Sequence, residues 1–304
     1  MTVQAYRTVD VAVDGGDLHV GIWEPTGVAP VADVLLIHGI TASHQAFVEL
    51  AAALPSARLI APDLRGRGRS ADVAGGAGMA RHADDIAAVL DALDAPRATV
   101  VGHSMGGFVA MVLAHRHPER VDRTVLVDGG VPLDVPAGVD PEALTSAILG
   151  PTAARLSMTF ASPEAYLDFW RPHPAFAGAW TPALEQYFRY DLVRDGDAWR
   201  AAASLEVTVA DTEDMVMGTA LRDALAQVGS PLRLVTAPRG LLDDEPGLYA
   251  PAYLERALAG LPGLVHERAG DCNHYTIVMA PAGARMVASI VAEEIDAARR
   301  GAHA

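Results

Sequence analysis

A serine hydroxyl, an imidazole and a carboxylate make a proton relay when a fold brings them within hydrogen-bond reach. This chain offers candidates for all three. The serine with distinctive surroundings is Ser104, in "VVGHSMGGFVA". Gly102, Gly106 and Gly107 box it in. An apolar run, Thr99–Val101, enters the motif, and a helical pattern, Gly107–His115, leaves it. G-x-S-x-G between strand and helix is the pattern of a nucleophile on a strained turn. Its Oγ points outward, and the amides at the helix start aim at the same spot, favouring a developing negative charge. A glycine-rich phosphate loop is the competing reading. It needs G-x-G-x-x-G or a terminal G-K-[ST], and neither stands here; "GRGRS" at Gly66–Ser70 is a short polar loop.

Such a serine needs a base, and the chain has eleven histidines. His103 lies inside the motif, His115 and His117 end the helical pattern, and His38 follows an apolar run. His266 falls inside the last apolar run, and His274 follows that run in the loop "AGDCNHYT". Two places offer a carboxylate. Asp128 ends "VLVDGG", 24 residues after Ser104, and Asp243 lies in "RGLLDDEPG". Beside Gly129 and Gly130, Asp128 also suits a plain turn-capping role.

The elements that must position these residues show in the hydrophobic rhythm. "YRTVDVAVDG" and "LHVGIWEP" alternate like the strands of an antiparallel hairpin turning at Gly15-Gly16. Short apolar runs follow at Val34–Ile37, Arg58–Ala61, Thr99–Val101, Thr124–Val127, Leu232–Val235 and Leu264–His266. Helical patterns fall between or after them, at Gln45–Leu54, Arg81–Leu93, Gly107–His115, Pro251–Leu261 and Ala282–Arg299. Continuous apolar strands alternating with helices predict an α/β fold, a mostly parallel sheet covered on both faces. The rhythm breaks between Val127 and Leu232, a stretch holding ten of the chain's seventeen aromatic residues. We therefore expect a core of residues 1–130 and 230–304 and a helical cap over 131–229. Trp170, Trp180, Phe188 and Tyr190 are the expected apolar pocket wall, or else the cap's own core.

Composition narrows the function classes. Of 304 residues, 51% are hydrophobic and 20% charged, enough for a large core. The net charge of −15 disfavours nucleic acid and anionic membrane surfaces as partners. No apolar run is long enough for a membrane span, and no signal peptide is expected at the N-terminus. The single cysteine, Cys272, excludes an intramolecular disulfide and a cysteine-rich zinc site, and it suits a cytoplasmic setting. Two residues from His274, Cys272 reads as a small packed residue rather than a reactive thiol. An assembly of identical chains is compatible with all of this.

The motifs together resemble the α/β-hydrolase superfamily over nearly the whole chain. "LLIHGI" looks like the family's oxyanion strand, "APDLRGRGRS" like its D-x-R-G-x-G-x-S loop, "VVGHSMGG" like its nucleophile elbow, and "DCNHYTIV" like its late histidine loop. The resemblance implies an eight-stranded, mostly parallel sheet with the cap inserted between strands 6 and 7. It also implies Ser104 as nucleophile, His274 as base, and the amides of Ile40 and Met105 as the oxyanion hole. Asp63, Arg65 and Ser70 match the family loop in a structural role. The family's commoner acid position, after the seventh strand, falls near Gly240, and Asp243 arrives a few residues late. A minority, including haloalkane dehalogenases and zearalenone-type lactone hydrolases, carries its acid where Asp128 stands. Asp128 is preferred and Asp243 is the alternative.

The expected reaction is hydrolysis of a small, apolar, uncharged ester or lactone through an acyl-enzyme, with no metal or organic cofactor. Serine rather than aspartate at 104 speaks against dehalogenation and epoxide opening. Carbon–carbon bond hydrolysis, thioester cleavage, acyl transfer and perhydrolysis stay open on the same triad. So does a non-hydrolytic ligand receptor, although such proteins often lose the serine or histidine kept here.

Overall fold

The computed structural model describes residues 4–135, 154–227, 229 and 231–302. Positions 136–153 and 228 of the expected cap lie outside them, as do 1–3, 230, 303 and 304 of the expected core.

Strands β1 (Gln4–Val13) and β2 (Gly16–Pro25) form the antiparallel hairpin that the alternation announces. At its turn Gly15 adopts φ +97°, and a Cβ there would lie 2.1 Å from Ala74 O, so only glycine fits. The apolar runs become β3 (Asp33–Ile37), β4 (Arg58–Pro62), β5 (Ala98–His103) and β6 (Val121–Val127). After the small strands β7 (Thr159–Phe160), β8 (Leu192–Asp195) and β9 (Ala198–Ala201) come β10 (Leu232–Thr236) and β11 (Leu264–Arg268). Eight of these strands form one sheet in the order β1-β2-β4-β3-β5-β6-β10-β11. The first two pairings are antiparallel and all later ones parallel.

Helices cover both faces. They are α1 (Val48–Ala53), α2 (Met79–Ala92), α3 (Met105–Arg116), α4 (Pro163–Trp170) and α5 (Pro182–Tyr190). Then follow α6 (Leu205–Met217), α7 (Ala220–Gln227), α8 (Pro251–Leu258), α9 (Thr276–Met279) and α10 (Pro281–Ala302). The helix expected over 45–54 opens as a 3-10 turn, His44–Phe47, before α1. Strand β3 shows why the strands read as unbroken apolar runs. Leu35 and Ile37 pack with Ile86 of α2 and Phe108 of α3, whereas Val34 and Leu36 pack with Leu50 of α1 and Val287 of α10. Each such side chain contributes ~1.5–3 kcal/mol on burial, and neither face can accept a polar residue cheaply.

The segment between β6 and β10 holds α4 to α7 and a small antiparallel sheet in the order β7-β9-β8. The apolar pattern does not announce that sheet, because its strands have two to four residues. The helix starts are written more clearly. In "SPEA" and "TPAL" the cap hydroxyls of Ser162 and Thr181 accept from the amides of Ala165 and Leu184, with Pro163 and Pro182 opening the helices. Helix α7 buries Leu221 and Ala224 in the same cluster as α3. Among the described residues no helix is long and apolar enough to cross a membrane.

Candidate active site

The corner at Ser104 is built by close backbone contact. Strand β5 ends at His103, α3 starts at Met105, and Ser104 between them takes φ 55° and ψ −124°. That conformation is strained for a residue with a Cβ, and it must be held by its surroundings. Glycines let those surroundings close in. A Cβ on Gly106 would lie 2.0 Å from Ile37 O, and one on Gly129 would lie 2.1 Å from Ser104 O. The ends of β3, β5 and β6 and the start of α3 thus meet with no side chain between them.

Three expected site residues come together at this edge. His274 Nε2 lies 3.0 Å from Ser104 Oγ, and His274 Nδ1 lies 2.7 Å from Asp128 Oδ2. Asp128 is fully buried, and its other oxygen accepts from Ala237 N at 3.0 Å. Acceptor oxygens facing Nδ1 fix the imidazole as the Nδ1–H tautomer, leaving the Nε2 lone pair for the serine proton. Asp128 has φ 47° and its amide donates to Val235 O at 2.7 Å, so the turn after β6 is pinned to β10.

Asp243 stands elsewhere. It takes Arg239 Nε at 2.7 Å and Asn273 Nδ2 at 2.9 Å. Burial works to raise its carboxyl, but the Asn273 and Arg239 donors outweigh it and hold it below the usual range. Asp243 therefore braces the histidine loop rather than the ring. The hub of that loop is Asn273, which the sequence reading passed over. Its Oδ1 accepts from the amides of Tyr275 and Thr276, and its Nδ2 also donates to Ala175 O at 2.9 Å. The signal was available, since Asn with Thr three residues on is a self-bonding turn pattern.

The expected oxyanion residues flank the serine. Met105 opens α3, and the Gly39–Ile40 turn lies against Ser104, close enough that a Cβ on Gly39 would come 3.5 Å from Oγ. His38, before that turn, is completely buried. Its Nε2 accepts from Leu64 N at 2.9 Å, so its Nδ1 carries the proton and donates to Gly39 O at 2.8 Å. Burial pulls its pKa down to about 4, which keeps it neutral near pH 7. His103 is neutral too. Burial, then the neighbouring His274, lowers it to about 3, and its ring donates to His274 O at 2.8 Å. His103 thereby ties the elbow to the histidine loop.

The loop after β4 braces the site from behind. Asp63 accepts from His44 N and Nδ1, Arg69 N and Tyr190 Oη, at 2.6 to 2.8 Å. Burial pushes its carboxyl up, but the His44 donors prevail and hold it well below the carboxylate range. Arg65 pairs with Asp85, and Ser70 Oγ accepts from His19 N at 2.9 Å. Cys272 is buried, and burial together with Asp128 pushes its thiol up to about 11, so it is a packed residue and a poor nucleophile.

Of the four aromatics expected as pocket wall or else cap core, the structure packs at least Trp170 and Phe188 into the insertion's interior. Trp170 and Phe188 are 2% and 1% exposed. They stack on each other at 4.6 Å, with Phe176 and Tyr166 around them, and form the interior of the insertion. Trp180 stacks on the outer side of Phe188, with Arg171 against it. Tyr190 is spent on Asp63. Beside His274 stand the His103 ring, 4.9 Å away, and Tyr275, 5.7 Å away, with Phe176 5.1 Å beyond Tyr275.

Comparison with known proteins supplies the context for this geometry. Lipase LipV of Mycobacterium tuberculosis is 42% identical over 118 residues, 39% of this chain and 44% of that one. A 2-hydroxymuconate semialdehyde hydrolase of Pseudomonas putida is 45% identical over 85 residues, 27% of this chain and 30% of that one. A non-heme chloroperoxidase of Streptomyces lividans is 38% identical over 112 residues, covering 36% and 40%. The chain thus matches less than half the length of these relatives. Whole-chain similarity appears in solved structures. The thioesterase domain of the curacin biosynthetic pathway superposes with TM-score 0.73 at 18% identity, covering 95% of this chain and 99% of that one. E-2-(acetamidomethylene)succinate hydrolase does so with TM-score 0.72 at 23% identity, covering 96% and 100%. Those identities speak for the fold alone. The family model described as the alpha/beta hydrolase fold matches residues 34–200, more than half the chain, from β3 through the elbow and into the insertion. With that match, the strand order and the serine corner, the chain belongs to the α/β-hydrolase fold family.

Proposed function

We propose that the protein is a serine hydrolase that cleaves an uncharged, apolar ester or lactone through an acyl-enzyme. The observation that carries this reading is the unbroken relay from Ser104 Oγ through His274 to Asp128, at 3.0 and 2.7 Å. His274 Nε2 takes the serine proton as Oγ attacks the carbonyl carbon. The resulting oxyanion is held by the amides of Ile40 and Met105, each worth on the order of a hundred- to a thousandfold in rate. Asp128 keeps the imidazole in its working tautomer and faces the imidazolium that forms. The leaving alcohol takes the proton from Nε2, water enters by the same route, and the acid is released. A preference for uncharged groups is supported by the aromatic ring of Tyr275 beside His274.

A second reading, hydrolysis of a carbon–carbon bond next to a ketone, draws on the partial likeness to 2-hydroxymuconate semialdehyde hydrolase. It uses the same triad. One panel of p-nitrophenyl esters, lactones and diketones, with a serine-reactive phosphonate mapped by mass spectrometry, separates the two. We expect ester turnover, label on Ser104, and a loss of at least about a thousandfold in Ser104→Ala. Equal turnover by wild type and Ser104→Ala refutes both readings.

A further inference from the structure

The turn after β3 carries the amide assigned above to the oxyanion, and three successive carbonyls of that turn end on buried side chains. Gly39 O accepts from His38 Nδ1 at 2.8 Å, Ile40 O from Arg67 Nε at 2.8 Å, and Thr41 O from Arg155 Nη2 at 3.1 Å. A trans peptide is planar, so fixing a carbonyl fixes the amide on the other side of the same plane. Gly39 O thus sets the direction of Ile40 N–H. Ile40 O and Thr41 O fix the two planes that follow and keep the first from rotating.

Two of these donors are cations taken wholly out of water. Arg67 and Arg155 are 0% and 1% exposed. A buried guanidinium persists only with anionic partners and good geometry. Both partners come from the insertion. Arg67 pairs with Asp211 of α6, and Arg155 lies 3.0 Å from Asp191 at the end of α5. Asp211 is held in turn by Gly78 N at 2.6 Å and His82 Nε2 at 2.9 Å, and Asp191 accepts from Tyr166 Oη. Arg67 also donates to Arg65 O at 2.9 Å. Two ion pairs, one starting from the loop after β4 and one from the insertion, therefore converge on neighbouring peptide groups of the turn.

We infer that Arg67 and Arg155 are positioning residues: they hold the Gly39–Thr41 turn in the shape that presents Ile40 N–H to the oxyanion formed at Ser104. Through Asp211 and Asp191 they make that shape depend on a docked insertion. Without the docked insertion the turn would lose the Arg155 anchor, and Arg67 would lose its counter-ion Asp211, so the tetrahedral anion would lose an aligned donor. This inference rests on the hydrolase reading above.

The test uses the full chain with Arg67→Lys, Arg155→Lys and Asp211→Asn, and rates are expressed per active site titrated with phosphonate. Lysine keeps the charge but cannot reproduce the guanidinium's simultaneous bonds. We expect kcat to fall about ten- to a hundredfold with KM within about threefold of wild type. Affinity for a trifluoromethyl ketone, whose adduct with Ser104 carries the oxyanion, should fall by the same factor as kcat/KM. Amide hydrogen exchange should rise over residues 39–42 and stay unchanged in β5. If one variant does not fold, the other two decide. Variants that lose thermal stability while keeping wild-type kcat per site and ketone affinity overturn the inference and make the arginines merely structural. A wild type that neither turns over esters nor takes phosphonate on Ser104 overturns the hydrolase reading, and the inference with it.

Discussion

Replacing Asp128 by asparagine changes one atom in the relay, and the surroundings determine how it hurts. Asp128 Oδ1 accepts from Ala237 N at 3.0 Å and Oδ2 accepts from His274 Nδ1 at 2.7 Å. An asparagine has one acceptor and one donor end. If its oxygen stays on Ala237 N, its NH2 faces Nδ1 and drives the proton to Nε2, where the ring can no longer deprotonate Ser104. The wrong tautomer costs on the order of 10⁴ in kcat, about 5.5 kcal/mol. If the amide flips, the ring keeps its tautomer but two N–H donors meet in a buried site, at ~1–3 kcal/mol. The imidazolium then also lacks its counter-charge, worth about 4 kcal/mol for charges ~4 Å apart at an effective dielectric constant near 20. Both routes lead to a loss of about 10³ to 10⁵. Asp243→Asn removes an ion pair from a half-exposed loop and should cost less than about tenfold. The assay is steady-state ester hydrolysis by both variants, with circular dichroism confirming the fold. A folded Asp128→Asn with more than a tenth of wild-type kcat, or a larger loss in Asp243→Asn, refutes the assignment.

Further outcomes follow from packing and charge. His38 and His103 are held neutral by burial, at about 4 and about 3, against ~6.5 in an unfolded chain. Between pH 6.5 and 4 the unfolded state binds more protons, so stability should fall with falling pH, by up to about 2.7 kcal/mol per pH unit for the two groups. Urea titrations across that range check it, and a flat profile refutes it. Gly106→Ala places a Cβ 2.0 Å from Ile37 O, where backbone cannot yield, and should cost upwards of about 3 kcal/mol or prevent folding, read as the yield of folded protein. Phe188→Ala empties the centre of the aromatic cluster in the insertion and should cost ~3–5 kcal/mol of stability, measured by thermal denaturation.

The order of the core elements and the serine corner were legible in the chain because both rest on local rules. Strands buried on two faces must be apolar throughout, so β3 to β6 appear as apolar runs. Helices α2 and α10 keep one apolar face and appear as periodicity, whereas α3 is buried all round from Met105 to Ala114 and appears as an unbroken apolar stretch. A serine on a tight corner needs small neighbours, and so Gly102, Gly106 and Gly107 announce it. His274 was legible through its place in the order of motifs, and Asp128 through its position at the end of a strand beside that of Ser104.

What the chain alone left open was decided by contacts between segments far apart in sequence. The choice between Asp128 and Asp243 turned on which carboxylate the neighbouring strand ends bring to Nδ1, a distance no spacing encodes. Aromatic content marked the insertion but not which way its rings face, because a buried Trp170 and a pocket-lining tryptophan have the same sequence. Asn273, Arg67 and Arg155 escaped for the same reason. Their work lies in hydrogen bonds to the backbone of Ala175, Ile40 and Thr41, 98, 27 and 114 residues away. A carbonyl leaves no mark on the sequence. Local sterics and periodicity are written residue by residue, whereas a buried charge meets its partner only once the chain has folded around it.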